Sequence, residues 1–486
     1  MTTPIGLIPI TFAGGFYKTR SKPLSSQTLV NWYLNFLDMG GLNEYCLYAT
    51  PGLKQAVAAI GGINRGAWVM NQKPYFVNGN SLYRVDRSVD LSGNVTYPAV
   101  PIGTIVGTGR VIMDAIKSQL CILVPGVTAY IYVDGGALSV ITDPDFAGPA
   151  DDVVAVDSVF VFITTGTNVA FHSALNDGLN YSALDRYPVT QIPVAIGLIV
   201  YRNQLYVMGR NSIVPFTNVG SLQFLFAPQP NSVIPIGVRS KFLKSTFLDS
   251  YIFLGAGING EISVWLYSGG SPKRLSTEPI DFIIQNATDE EIDRAFILRH
   301  SQNSADFAVL NIGNYCFTYD LTASSKLGEP LWHERKSRIE VDDAIVEIPW
   351  RPTSIVQAYN RVFVGDSVDG TIGEIADDIG NEYGNPIPRV LDTQPLSNNG
   401  IQGIVKGIEV FTDVGVSEND VMSLSWSGDG GFTYGNKLER SLGEIGEYGR
   451  RVFWSRLGSF SIARTLRFEY SGEYPRGINK IMANVA

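Results

Sequence analysis

The most distinctive chemical motif in the chain is the eight-residue stretch Ser427-Gly-Asp-Gly-Gly-Phe-Thr-Tyr434, which brings together a hydroxyl, a carboxylate, glycines and an aromatic ring. An aspartate in such a turn accepts hydrogen bonds from nearby backbone N–H groups, and a glycine at 431 permits a positive φ. The tyrosine ring would pack beneath the turn. We therefore predict that Ser427, Asp429, Gly431 and Tyr434 form a structural hairpin turn and not a catalytic site.

The same stretch matches the Asp-box pattern S-x-D-x-G-x-T-W of sialidase-type propellers, with Tyr434 in the place of the tryptophan. The Asp-box is structural even in the enzymes that carry it, and here it occurs once. A sialidase would need several copies, together with an arginine cluster and a Glu-Tyr pair. A glycan-binding or glycan-hydrolysing propeller, sialidase-like or lectin-like, is kept as the alternative function.

Other patterns that support catalysis or cofactor binding are weak. The chain has three histidines, His172, His300 and His333, at isolated positions, which we interpret as surface or capping residues. The acidic stretch 143–152 has Ala147 where a calcium loop needs an oxygen ligand, and the glycines of 255–260 precede a strand where a dinucleotide site needs a helix. We predict no catalytic residue, no metal site, no cofactor and no small-molecule substrate.

A second group of residues is typical of protein interfaces. Arginines are interleaved with aromatic residues near the C-terminus, and both types are enriched at interface cores. Alternating strands with a charged outer face would give the same pattern, and direct DNA binding is disfavoured by the overall charge. The candidate subunit or adaptor interface consists of Arg450, Arg451, Trp454, Arg456 and Arg464.

The elements that must position these residues are predicted to be strands. Seven short apolar runs, rich in β-branched and aromatic residues, recur at intervals of 40 to 56 residues. A repeat of about 40–50 residues with several strands per unit is typical of a β-propeller. The runs begin at Tyr75, Leu120, Phe160, Leu205, Tyr251, Phe307 and Val362.

The units between these runs read as antiparallel meanders joined by tight turns. The clearest has apolar stretches at 196–201, 205–208 and 213–216. One short helical insertion is predicted in the long fifth interval, where Thr288 and Glu291 form a capping box for a helix that ends at Ala295. The fold class is all-β: a β-propeller of about seven blades, with six as the alternative, and a smaller C-terminal antiparallel β domain.

The spacing of the predicted strands divides the chain into four segments. Residues 1–45 are predicted to join the C-terminal β domain as a platform, and residues 46–376 to form the propeller. Residues 377–400, rich in Gly, Asn, Pro and Asp, are predicted to be a linker. Residues 401–486 alternate apolar and polar positions, as expected of a half-buried antiparallel sheet.

Composition narrows the function further. The formal net charge of −9 gives no general attraction for nucleic acid or for an anionic membrane. Three cysteines without close spacing are predicted to be buried reduced thiols of a protein made in a cytoplasm. The start of the chain lacks the pattern of a secretion signal, and no apolar run approaches the ~20 residues that a membrane span needs.

Along nearly its whole length the chain resembles the tail-hub or nozzle proteins of short-tailed bacteriophages of the Salmonella podophage type, also called packaged-DNA-stabilisation proteins. The resemblance is carried by the colinear order of short segments and not by any one of them. The segments are Ala49-Thr-Pro-Gly-Leu53, Asn64-Arg-Gly66, Ser81–Val85, Val106–Val111, Gly178–Ser182, Phe247–Tyr251, Thr288–Glu291, Asn314–Asp320 running to Trp332, the hairpin at Asp429, Arg451–Trp454 and Arg464.

The resemblance implies a homo-hexameric ring below the portal and its adaptor. Such a ring extends the DNA channel, retains packaged double-stranded DNA that passes without specific binding, and docks tailspikes or fibres and a needle or plug. It implies a virion protein assembled in the host bacterial cytoplasm. An acidic ring suits a DNA conduit, because each neutralised phosphate would add affinity and slow the passage of DNA.

Overall fold

The computed structural model describes residues 7–12, 14–37, 43–397 and 400–485. The prediction of no secretion signal depends in part on residues 1–6, which lie outside the described residues. The same holds for parts of the predicted N-terminal and linker segments, at 13, 38–42 and 398–399, and for residue 486. The described chain is built almost entirely of antiparallel strands, so the all-β prediction is confirmed.

Six blades of the propeller are four-stranded antiparallel sheets made of consecutive strands. The strands of the first three are Asn64–Met70, Lys73–Asn78, Ser81–Val85 and Ala99–Thr104; Ile112–Ile116, Gln119–Val124, Thr128–Val133 and Leu138–Val140; and Ala150–Val156, Val159–Thr164, Val169–Ala174 and Asp177–Pro188.

The next three blades follow the same order, except that two short strands share the innermost position of the fifth. Their strands are Ala195–Tyr201, Gln204–Gly209, Ile213–Asn218 and Phe226–Pro228; Gly237–Val238, Lys244–Thr246, Tyr251–Ala256, Ser263–Tyr267 and Lys273–Arg274; and Phe296–Gln302, Ala305–Ile312, Tyr315–Asp320 and Leu331–Glu334.

A seventh sheet closes the ring with strands from distant parts of the chain. Pro352–Ala358, Arg361–Asp366 and Ile372–Ala376 form its inner part, and Gly52–Val57, which precedes the first blade in the sequence, pairs as its fourth strand. Its innermost strand contacts that of the first blade, so the ring is continuous. The predicted propeller is confirmed, with six blades of consecutive strands and this closing sheet.

The seven apolar runs of the sequence all fall in the second strand of a sheet, where both faces pack against neighbouring blades. Their central residues, such as Phe76, Ile122 and Phe162, are fully buried. Five of the seven turns that lead into these strands place two residues at positive φ, the geometry that matches the twist of a hairpin. The pairs are Asn71-Gln72, Asp157-Ser158, Arg202-Asn203, Asn303-Ser304 and Tyr359-Asn360.

Three helices occur in the described chain, where one was predicted. The capping box of α2 (Asp289–Arg294) is present as expected, with Thr288 accepting from the Glu291 backbone. The additional helices are α1 (Glu278–Gln285), an apolar run that follows Thr277 and has Pro279 in its first turn, and α3 (Leu321–Leu327), capped by Asp320. In α1 the buried residues Ile280 and Ile284 have helical spacing, but an apolar run of eight residues cannot be distinguished from a strand by its pattern alone, and α3 has few apolar residues.

The second domain is a β-sandwich assembled from both chain ends. One sheet has the order Trp32–Phe36, Tyr45–Ala49, Gly477–Val485, Gly403–Thr412 and Val452–Ser455, with Leu7–Pro9 and Ser459–Phe460 at its side. The other has the order Ser26–Val30, Arg389–Asp392, Ala463–Tyr470, Val421–Ser427 and Leu438–Ser441, with Tyr17–Lys18 and Leu396–Ser397 at its side.

The core of the sandwich therefore mixes residues about 400 positions apart in sequence. Trp32 and Leu47 from the N-terminal part pack in one cluster with Ile408, Trp454 and Ile481. Separate clusters fill the spaces between successive propeller blades. The cysteines at 46, 121 and 316 are buried and unpaired, as the sequence predicted.

The four-segment division of the chain stays a prediction, and strand pairing departs from it at two places. Residues 377–400, expected to be a linker, contain the strands Asn381–Glu382 and Asn385–Pro386 beside the closing blade, and Arg389–Asp392 lies inside a sandwich sheet. The strand Tyr45–Ala49 crosses the expected boundary and belongs to the sandwich. Prolines and glycines concealed these strands, which are only two to five residues long.

The two domains are joined by continuous backbone pairing. Val30 of the sandwich pairs in parallel with Glu334 at the outer edge of the sixth blade. Next to it, the Asn31 amide donates hydrogen bonds to the carbonyl oxygens of Lys336 and Pro388, at 2.9 and 2.7 Å. Two hairpins stand outside all of these sheets: Ser88–Val89 with Val95–Thr96, and Lys336–Val341 with Ala344–Pro349.

Candidate interaction surfaces

The turn at 427–434 has the contacts of a hairpin cap. The Asp429 carboxylate accepts hydrogen bonds from the backbone N–H groups of Phe432 and Thr433 and from the hydroxyls of Ser427 and Thr433, at 2.6–3.1 Å. These donors hold the pKa of Asp429 well below its ordinary value, with the Ser427 hydroxyl as the largest cause. Gly431 has a φ of 87°, as a glycine in this turn requires.

Tyr434 ends the turn and packs inward. The guanidinium of Arg467 lies 3.7 Å from the centroid of the Tyr434 ring and forms a two-point ion pair with Asp392, at 2.7 Å for both contacts. Burial raises the pKa of Tyr434 above its ordinary range. The turn is thus tied into the outer face of a sandwich sheet.

The candidate interface residues separate into an exposed and a buried group. Arg450, Arg451 and Arg456 are exposed: Arg450 pairs with Glu447 at 2.9 Å, and Arg451 with Glu409 at 2.6 Å. The exposed ring of Phe453 lies beside Arg451. These residues form one patch on the edge of the first sandwich sheet.

Trp454 and Arg464 belong to the interior and have no free surface for a partner. Trp454 is 0% exposed, and its indole N–H donates to the Leu438 carbonyl at 2.7 Å. Arg464 donates to the carbonyls of Leu457 and Ser459 and lies over the Trp426 ring. Strand alternation explains the contrast between the exposed Phe453 and the buried Trp454, because neighbouring residues of one strand point to opposite faces.

A basic groove at the junction of the two domains was missed by the sequence analysis. It has a volume of about 570 Å³ and lies between the sandwich and helix α1. We call it the junction groove. Its cations are Lys18, Arg20, Lys22, Lys336, Arg338 and Arg467, and its apolar wall consists of Phe16, Pro279, Phe282, Ile283 and Tyr315. Three carboxylates, Glu334, Glu347 and Glu469, also line it, so cations outnumber carboxylates by six to three, and Arg20, Lys336, Arg338 and Arg467 are ion-paired within the chain. The alternation Lys18, Arg20, Lys22 was the available signal, but the remaining residues come from four distant segments.

The axis of the propeller holds a second cavity, of about 680 Å³, in which Arg299 is exposed and most other charged groups are bonded to the protein. Lys241 pairs with Asp151 at 2.5 Å, and Lys244 with Asp152 at 2.8 Å. Burial raises the pKa of Asp114 to about 7, although the carboxylate accepts from the backbone N–H of Ala155 at 2.7 Å. The acidic stretch 143–152, which the sequence analysis compared with a calcium loop, is therefore partly buried and ion-paired, because Asp151 and Asp152 lie at the start of the innermost strand Ala150–Val156.

The histidines are buried, which corrects their interpretation as surface residues. His300 and His333 lie in the sixth blade near Arg335, and all three line a small cavity. Burial lowers the pKa of His300 to about 3 and that of His333 well below its ordinary value, and the Arg335 charge acts in the same direction. Among the described residues, no group of three or more His, Cys, Asp or Glu side chains is arranged to hold a metal ion.

Comparison with known proteins identifies the family. A family model described as bacteriophage P22 Gp10, β-propeller, matches residues 7–380, and one described as bacteriophage P22 Gp10, β-sandwich, matches residues 388–486. The chain belongs to the bacteriophage P22 Gp10 family. The family predicted from the colinear segments is thus confirmed. A curated Gp10 relative, the tail hub protein gp10 of Salmonella phage P22, is 24% identical over 428 residues, covering 85% of each chain.

Solved structures resemble this Gp10-family chain at low identity and low TM-score. The WD40 propeller domain of Doa1 is 10% identical with a TM-score of 0.38, covering 67% of this chain and 98% of that one. PorZ of Porphyromonas gingivalis is 11% identical with a TM-score of 0.37, covering 74% and 45%. These values are too low to inform function. Within the described part of this Gp10-family chain, no helix has both the length and the apolar character of a membrane span.

Proposed function

We propose that this chain is a structural, non-enzymatic tail-hub protein of a short-tailed bacteriophage. It forms a closed homo-hexameric ring below the portal and adaptor, extends the DNA channel, retains packaged DNA, and docks the tailspikes or fibres and the needle or plug. The observation that carries this proposal is the match of both domains, in order and over nearly the whole chain, to the family of a tail hub protein.

The charge of the chain supports a conduit. A net charge of −9 per subunit, repeated around a ring, gives a lumen that repels the phosphate backbone. DNA then passes without the affinity that phosphate contacts to Lys and Arg would add. The basic side chains that do gather, in the junction groove and at the sandwich edge, are suited to protein contacts.

The exposed patch of Arg450, Arg451, Arg456 and Phe453 supports a subunit or adaptor contact on the sandwich. Arginine beside an exposed aromatic ring is the composition of an interface core. The sandwich combines strands from both ends of the described chain, and the patch lies at and beside its edge strand Val452–Ser455. We place the adaptor on the sandwich and the tail appendages on the propeller. The protein assembles in the host cytoplasm and becomes part of the virion.

Negative-stain imaging of the purified chain with its phage's portal–adaptor complex tests the proposal. A closed ring below the adaptor is expected, and particles that lack this chain should lose their packaged DNA. The adaptor complex imaged alone is the control. A chain that stays monomeric beside the adaptor and instead binds or cleaves a glycan contradicts the proposal and favours the alternative function.

A further inference from the structure

The hairpin formed by Lys336–Val341 and Ala344–Pro349 is supported only at its base. Its two strands pair with each other over six residue pairs and with no other described strand. At the base, Ser337 accepts from the Arg351 N–H at 3.0 Å, and Arg338 donates to Ser471 at 2.9 Å. Two six-residue strands give this hairpin, which we call the arm, a length of about 20 Å.

The distal half of the arm leaves apolar surface in solvent. Val341, Ile345 and Val346 are exposed, Ile345 by 72%. Strand alternation and pairing place Ile339, Val341, Val346 and Ile348 on one face. A two-stranded hairpin with both edges and an apolar face in water is marginally stable and is a template for association. These features indicate that the arm is covered in the assembled state.

Charge is separated along the arm. Its base carries Lys336 and Arg338, which line the junction groove together with their ion-pair partner Glu347. The tip carries Glu340, Asp342 and Asp343 without any cation. The tip therefore needs a cationic partner surface. Because the chain as a whole has a net charge of −9, few surfaces of another copy would accept it.

The junction groove complements the arm in charge and in exposed apolar surface. Lys18 and Lys22 make no ion pair with any described residue, and Lys22 lies over the Phe432 ring at 4.3 Å. Burial and then the Lys22 charge lower the pKa of Lys18, while the charges of Asp392 and Glu334 act in the opposite direction. Opposite them, the rings of Phe282 and Tyr315 are 42% and 38% exposed. An acidic tip with an apolar face would relieve the repulsion between the lysines and cover the exposed rings.

We propose that the arm of one copy of this chain docks into the junction groove of the next copy. This inference rests on the proposed ring, and it names a contact that holds the ring together. A chain cannot fill its own groove, because the arm base forms part of the groove wall and the tip lies about 20 Å away along a continuous ladder. Arm and groove are different surfaces, so the contact is head-to-tail, the type that closes into rings.

Two charge variants test the contact between copies. The tip variant carries Glu340→Lys, Asp342→Asn and Asp343→Gly, which removes the acidic tip and keeps residues that favour the two-residue turn. The groove variant carries Lys18→Glu and Lys22→Glu. Each alone places like charges together, and we expect ring assembly at least about tenfold weaker, the effect of 1.4 kcal/mol.

Mixing the two variants is the decisive measurement. In an equimolar mixture each lysine tip meets an acidic groove and each acidic tip meets a native groove, so alternating rings should form at near wild-type concentrations, as measured by native mass spectrometry with the adaptor present. A matched control is Asp293→Lys with Glu329→Lys, two exposed carboxylates outside the arm and groove, which should assemble normally. A third variant, in which Ile339–Val346 is replaced by Asn-Gly, should fold and remain outside the ring.

The outcomes separate this inference from the proposed function. Rings formed by the short-arm variant at wild-type concentrations would overturn the arm contact and leave the ring in place. Variants that fail separately and also fail when mixed would overturn the contact between copies, because a different partner would then account for the losses. A wild-type chain that never assembles on the adaptor overturns the proposed function itself.

Discussion

The propeller and the sandwich differ in how far apart in sequence their paired strands lie. In the propeller, each blade is local in sequence and packs on the next, and only the strand Gly52–Val57 is brought from elsewhere. In the sandwich, every sheet combines strands from the two chain ends, such as Tyr45–Ala49 with Gly477–Val485. The propeller is therefore closed by one strand from a distant part of the chain, whereas each sandwich sheet contains a strand pair that joins the two chain ends.

Polar ties follow the same division. In the propeller, buried aspartates link successive innermost strands: Asp114 accepts from Ala155 N–H, and Asp152 from Leu198 N–H. In the sandwich, the buried guanidinium of Arg476 holds Asp420 and the Tyr470 hydroxyl together. In the propeller these buried polar contacts are spread around the ring, whereas in the sandwich several of them converge on Arg476. We therefore expect a single substitution to lower the free energy of unfolding more in the sandwich.

The largest effect is expected from Arg476→Met in the sandwich. Arg476 is 0% exposed and pairs with Asp420 at 2.6 Å, so the substitution leaves a carboxylate buried without its partner. Loss of one member of a buried pair costs about 3–5 kcal/mol of the free energy of unfolding. Denaturant unfolding measures the change. The control Arg451→Met removes an exposed arginine whose ion pair with Glu409 is worth at most about 1 kcal/mol. Equal losses of stability in the two variants would contradict the special role of the buried contacts at Arg476.

A smaller effect is expected from Asn64→Ala, at the joint between the first and the closing blades. The Asn64 amide oxygen accepts hydrogen bonds from Ser354 and Thr353, at 2.7 and 2.9 Å, and its N–H group donates to Asn78. Buried partners left unsatisfied cost about 1–3 kcal/mol. Calorimetry measures the change, and the exposed substitution Asn94→Ala is the control, expected within about 0.5 kcal/mol of wild type. A cost equal to that of Arg476→Met would show that the two domains are equally sensitive.

The same division explains what the sequence could predict. Blade cores produce a repeated signal because the second strand of each is buried on both faces, and residues such as Phe160 and Phe253 therefore recur in uniform apolar runs. The capping box at Thr288 is likewise local, and it was found. The closing strand Gly52–Val57 gives no such signal, because its pairing with Ile372–Ala376 depends on residues about 320 positions away.

Candidate surfaces were predicted less well, for the same reason. The contacts of the turn at Asp429 are within four residues, so its geometry could be anticipated. For Trp454 and Arg464, composition could not say which face of a strand is covered, and both are internal. The junction groove needs Lys18, Phe282 and Arg467 to converge, and no local pattern encodes that convergence.

A pH-dependent effect is expected at His300, where the propeller meets the sandwich. The folded state lowers the pKa of His300 to about 3, from an ordinary 6.5, so its contribution to stability is complete above pH 6.5 and is lost as the pH falls below it. The ring packs against Phe307 and Trp350, and its Nδ1 has no hydrogen-bond partner. We expect His300→Phe to remove this loss. The difference in the free energy of unfolding between variant and wild type should therefore be about 1–2 kcal/mol more favourable to the variant at pH 5 than at pH 7.5. The same gain at both pH values would contradict a titration at this position.

The smallest effect is expected from Asp429→Ala in the sandwich turn. The donors that the carboxylate binds, including Phe432 and Thr433 N–H, are exposed, so water replaces the lost contacts. The melting temperature should fall slightly, and by less than in Arg476→Met, even though both residues lie in the same domain. Because its donors hold the pKa of Asp429 below the ordinary value, the difference from wild type should be present above pH 4 and disappear in acid.

Asp429→Asn, which keeps one acceptor oxygen, is the matched control for the turn. Its melting temperature should lie between those of the wild type and Asp429→Ala. Ring assembly on the adaptor should be unchanged in both variants, because the hydrogen bonds of Asp429 stay within the turn. The two rings that contact Lys22 and Arg467 of the junction groove, Phe432 and Tyr434, are retained in both variants. A variant that keeps the wild-type melting temperature and loses a hydrolytic activity would show that the carboxylate serves chemistry. The sandwich would then hold an active site, and it could no longer be described as a purely structural domain that differs from the propeller only in how its buried polar contacts are arranged.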